Sequence, residues 1–75
     1  MPEHTHWEMQ AANLLKAELK RKGVTYAQLV VKLAALGISE KEANVANKLS
    51  RGKFTAAFLI QCLEAVGTDQ LHLQP

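Results

Sequence analysis

Apolar residues recur along this chain in four stretches of helical period, and each stretch stops at a glycine. Gly23, Gly37, Gly52 and Gly67 stand 14 or 15 residues apart. The stretches share no other residue pattern, so the spacing reflects helix length plus a stop signal, not an internal repeat. Pro2 and Pro75 lie at the two ends, where neither can break a helix between them. The pattern predicts an all-α bundle of about four helices in a single domain spanning residues 1–75, with an ordered core over about 7–71.

The first helix is expected from about Trp7 to Lys22, with Trp7, Ala11, Leu14, Leu15 and Leu19 on one apolar stripe. Lys20, Arg21 and Lys22 suit its negative C-terminal end, and Gly23 can take the left-handed turn that ends it. Thr25 with Gln28 three residues on has the form of a capping box, opening a second helix that buries Leu29, Val30, Leu33 and Leu36. Ser39 with Glu42 repeats that signature for the third helix. Its inner face is expected to be Ala43, Ala46 and Leu49, leaving Lys41, Asn44, Lys48 and Arg51 opposite and Asn47 at the flank. Thr55 caps the fourth helix inside a Phe54/Leu59 staple, and Leu59, Cys62, Leu63 and Val66 face inward. Leu71-His72-Leu73 alternates, which suits a short extended segment.

Composition narrows the chemistry. The chain has 75 residues and a net charge of +2. A domain this short buries only about 60% of the surface its unfolded chain exposes, which disfavours a large catalytic cleft. One cysteine, Cys62, excludes an intramolecular disulfide and points to a reducing cytoplasm. No apolar run approaches the roughly 20 residues of a membrane span, and the first ten residues hold no stretch of export-signal type.

Few residues suggest an enzyme. Glu40 and Glu42 fall on different sides of a helix start and suit its positive end. Cys62 sits on an inner stripe with no neighbouring cation in sequence, as a buried inert thiol does. His4 and His6, with His72, could approach a metal only by bringing two chain ends together, so no metal is expected. The glycines are isolated and make no phosphate loop. Core packing accounts for Trp7, Phe54 and Phe58, whereas Tyr26, outside the Leu29/Leu33 stripe, can present its hydroxyl. No enzyme and no cofactor are therefore expected.

The charges are informative because they are segregated. Residues 16–22 and residues 41–53 each carry +3, and the remainder of the chain −4. The first cluster is what a helix end requires. The second combines Lys41, Lys48, Arg51 and Lys53 with Asn44 and Asn47, side chains able to bond phosphates or base edges.

Gly23-Val24-Thr25-Tyr26-Ala27-Gln28-Leu29 resembles the entry to the helix-turn-helix of lambda-repressor/Cro-like proteins. Asn47-Lys48-Leu49-Ser50-Arg51-Gly52-Lys53 is similar to the end of that superfamily's recognition helix, and Phe54 to Gly67 to its fourth helix. The distance from Leu29 to Gly52 exceeds the superfamily's, so the motif would be a modified, lengthened one. More narrowly, Lys48 to Phe54 and Phe58 to Leu63, with Trp7, look like a bacterial family of small uncharacterised domains. The resemblance implies a small bacterial transcriptional regulator that binds double-stranded DNA. Asn44, Val45, Asn47 and Lys48 would be the recognition positions, Thr25, Tyr26 and Gln28 would start the first motif helix against phosphate, and Arg51 and Lys53 would lie in the following loop. Arg51 could instead pair with Glu18. A homodimer, joined through Leu71/Leu73 or the fourth helix, would give a palindromic site. The other reading is a protein-interaction module of a regulatory or toxin–antitoxin assembly; Glu40 and Glu42, which repel phosphate, favour it.

Overall fold

Four helices form where the periodic stretches and their caps require them. In the computed structural model, which describes residues 6–73, they are α1 (His6–Lys22), α2 (Tyr26–Ala35), α3 (Glu42–Arg51) and α4 (Ala56–Ala65). The caps of α2 and α4 are those of the sequence. Thr25 Oγ1 accepts from the Gln28 amide at 3.1 Å, and the Gln28 side-chain oxygen accepts from the Thr25 amide at 2.9 Å, a complete capping box. Thr55 Oγ1 likewise accepts from the Phe58 amide at 3.0 Å. Such caps satisfy amides that a helix start leaves without partners.

α3 starts differently. Lys41, not Ser39, is its N-cap residue, and no side chain caps it. Residues 38–41 run without helix or strand into α3, and this places the Glu40 carboxylate beside Lys48 instead of leaving Ser39 to form a box. The segment Leu71 to Leu73 is irregular, with no extended pairing. Its Leu71 is half-buried beside α1.

Helix order around the core is not chain order. α3 and α4 each pack against both α1 and α2, so the first two helices are held together through the last two. Between them lies a core of Leu15, Leu19, Leu29, Leu33, Val45, Leu49, Phe58 and Cys62, with Val24, Tyr26, Val30, Ile38 and Phe54 packed around it. Large apolar side chains in such a core contribute about 1.5–3 kcal/mol each.

The expected inner faces are rotated on two helices. On α1 the buried residues are Ala12, Leu15 and Leu19, while Trp7 is 74% exposed and meets the His6 ring edge-on at 5.4 Å. On α3 the buried pair is Val45 and Leu49, and Ala43 is exposed. Residues four apart share a face, and turning Val45 inward buries more apolar surface than turning in two alanines. Leu36, expected inside, caps α2 and is exposed. On α4, Phe58 is buried with Cys62, and Phe54 packs on the Phe58 ring at 5.5 Å between centroids, while Leu59, Leu63 and Val66 are half-buried.

All four helix-ending glycines have positive φ, but only Gly52 is also buried. A Cβ at Gly52 would strike the carbonyl oxygen of Glu8 and come within 2.7 Å of its carbonyl carbon, whereas Gly67 has open space around it. Gly67→Ala should therefore cost about 1–2 kcal/mol for the left-handed backbone alone. Gly52→Ala should cost about 1–3 kcal/mol more, from pushing α1 off the end of α3. Urea unfolding of both variants measures the difference, and equal losses would show that the Glu8 contact carries no weight.

Candidate nucleic-acid interface

The outward face of α3 follows from the way its inward face is fixed. With Val45 and Leu49 buried, Asn44, Asn47, Ser50 and Arg51 turn to solvent. Gly52 then ends the helix with φ +69°, its amide bonded to the Lys48 carbonyl at 2.9 Å, and directs Lys53 back beside the same face. Asn44, Asn47, Lys48, Arg51 and Lys53 together line a shallow depression of about 220 Å³. Lys41, at the start of α3, is exposed as well.

Three of the sequence candidates have other tasks. Val45 is fully buried in the core and has no surface with which to touch a ligand. Tyr26 is half-buried and packs against the core cluster instead of standing free at the start of α2. Lys48 reaches inward: its Nζ donates to Glu40 Oε2 at 2.7 Å and lies 4.4 Å from the centre of the Phe58 ring. A cation held by both a carboxylate and an aromatic face is braced, and the outward rotation expected for Lys48 is lost because Val45 has taken the inner position.

Arg51 had two expected partners, phosphate or Glu18. Glu18 is occupied elsewhere. Arg21 grips it with Nη2 at 2.7 Å and Nε at 3.2 Å, and the Thr68 hydroxyl donates to it at 2.9 Å. Arg51 makes no hydrogen bond or ion pair with any described residue and is exposed. The amides of Asn44 and Asn47 are exposed, with no side-chain bond to a described residue. At the start of α2, Thr25 and Gln28 are exposed and spend one acceptor each on the capping box, leaving the hydroxyl and the amide NH2 as donors.

Two neighbouring groups are set by the fold. Burial pushes the Cys62 thiol up to about 12, with the Glu40 carboxylate adding to the rise and Lys48 opposing it. A thiol so protonated is no nucleophile. His6 and His72 line one groove between α1 and the C-terminal segment, while His4 lies outside the described residues.

The Glu40–Lys48 contact was not visible in the sequence. Eight residues separate the partners and a non-helical step lies between them, so no helical spacing flags the pair. Residues 7–71 match a family described as Domain of unknown function (DUF6471). No curated protein and no solved structure matches the chain.

Two outcomes check this account. Lys48→Met keeps apolar contact with Phe58 but strands the half-buried Glu40, and should cost about 1 kcal/mol on urea unfolding. Adding Glu40→Gln should recover part of that loss. The second concerns Glu18, whose carboxyl the Arg21 hydrogen bond holds below the usual carboxylate range against partial burial, with the Thr68 bond helping. A lowered folded-state value adds stability above the unfolded value near ~4.3, lost as pH falls through the folded one. Glu18→Gln should thus melt a few degrees below wild type at pH 7, and the gap should close on acidification; a gap independent of pH would refute the assignment.

Proposed function

The chain belongs to the DUF6471 family, and we propose that this member is a DNA-binding protein of helix-turn-helix type, with α3 as the helix that enters the major groove of duplex DNA and a small transcriptional regulator as its biological role. The observation that carries the proposal is the depression lined by Asn44, Asn47, Lys48, Arg51 and Lys53. A ten-residue helix is about 15 Å long, and the major groove, about 12 Å wide, admits one. Carboxamides and a guanidinium on its exposed face are the side chains that read base edges. Lys41 and Lys53 flank them at either end, placed to hold phosphates. The start of α2 adds the Thr25 hydroxyl, the Gln28 NH2 and the positive end of a helix dipole, a combination that favours an anion.

Acidic residues weigh less here than their number suggests. Glu40 is neutralised by Lys48, which leaves Glu42 as the exposed carboxylate of the first turn of α3. Lys41, Arg51 and Lys53 outweigh it, since none of the three has an ion-pair partner among the described residues. Lys48 enters this reading as the side chain that ties α3 to Glu40 and to the Phe58 ring of α4, not as a base reader.

A second reading, a protein-interaction module, draws on a different observation. A groove of about 700 Å³ runs along α1 beside Leu71 and Leu73, with Met9 and Leu14 in its wall, and Trp7 stands exposed near it. Apolar surface of this kind is typical of contact with another chain. A second copy there would also give the duplex reader its second half-site.

Binding of the protein to mixed duplex fragments across a salt series separates the readings. With about three phosphate contacts, log affinity should fall against log salt with a slope near −3. Lys53→Ala should flatten that slope by about 1. Absence of retention on any duplex at low salt would overturn the DNA-binding reading and leave the protein-interaction one.

A further inference from the structure

Which bases α3 would read is restricted by what the fold has already consumed. On this helix Val45 is buried in the core, and Lys48 is tied to Glu40 and the Phe58 ring. The Ser50 hydroxyl donates to the Asn47 carbonyl at 3.1 Å. The side chains left with free hydrogen-bonding groups in the middle of the face are Asn44, Asn47 and Arg51, which share the depression with Lys48 and Lys53.

Their placement is regular. At 100° per residue the three fall within about 60° of one another around the helix axis. Along the axis Asn47 lies about 4.5 Å beyond Asn44, and Arg51 about 6 Å beyond Asn47. The whole row spans about 10.5 Å, which is three steps of a duplex with a rise of about 3.4 Å.

Chemistry then limits each position. A carboxamide accepts from the adenine N6 amino group and donates to N7, two bonds that no other base offers in the major groove. A guanidinium has only donors, and guanine, with O6 and N7 both acceptors, is the base that takes two of them. Lysine at that position would discriminate less, and Lys48, which could have supplied a second such donor, is engaged by Glu40.

On the reading that α3 enters the major groove, we propose that each chain recognises a half-site of about four base pairs, in which two A·T pairs, their adenines met by Asn44 and Asn47, precede a G·C pair whose guanine is met by Arg51, each purine lying on either strand. Glu40 acts here as a positioning residue. By holding the Lys48 Nζ it fixes that cation at one edge of the depression.

The experiment is selection of the whole chain's ligands from a randomised duplex pool at low salt, followed by sequencing of the retained fragments. Two A·T positions followed by a G·C position are expected to be enriched within about four base pairs. Asn47→Ala should lose the preference at one adenine, and Arg51→Ala the preference at the guanine, each by about tenfold, with other positions unchanged and helix content intact. Retention of duplex without base preference, or enrichment of a site indifferent to both substitutions, would overturn this assignment and leave duplex binding standing. No retention at any sequence would overturn the assignment and the DNA-binding reading together.

Discussion

The domain turns on one close approach of backbone to backbone, where Gly52 at the end of α3 meets the carbonyl of Glu8 in the first turn of α1. A helix normally keeps its neighbours about 8–10 Å away by its side chains. Here a left-handed residue without a Cβ removes that spacer at one end of α3 and lets the helix sit down on α1. Val45 and Leu49 are then driven fully into the core, and the rotation they impose decides everything on the other side of the helix. Asn44, Asn47 and Arg51 face water because Val45 does not.

A second consequence concerns charge. The +3 of residues 41–53 suggests four equivalent cations, yet they are not equivalent. Lys48 is spent inside the protein, on a half-buried carboxylate and an aromatic ring, and Glu40 is neutralised with it. The pair ties the loop before α3 to the body of α3, and Phe58 links both to α4. Arg21 and Glu18 do something similar at the far end of α1, where Thr68 joins them and anchors the segment after α4. In each place a charge that reads from sequence as surface holds one element to another, and the remaining cations of residues 41–53, Lys41, Arg51 and Lys53, define the basic face of α3.

Helix existence, number and ends were legible in the residues, because those are decided locally. Gly23, Gly37, Gly52 and Gly67 could end helices wherever they stood, and Thr25 and Thr55 could cap the helices that follow without help from the core. Ser39 failed to cap for a non-local reason: extending the chain past it lets Glu40 reach Lys48 eight residues on. The basic, amide-rich patch was legible too, as composition. Its membership was not, since Tyr26, Val45 and Lys48 were drawn inward by partners on other helices.

Sequence by itself thus determined four helices, their stops and two of their caps, since hydrogen bonds within three or four residues suffice for these. Tertiary structure decided the phase of α1 and α3 about their own axes. Small and large apolar residues lie on several sides of both helices, so periodicity alone leaves the phase loose by about one residue, or 100°. Packing of each against two neighbouring helices chose Ala12 over Trp7 and Val45 over Ala43, and with that choice it settled which polar side chains are left for a partner.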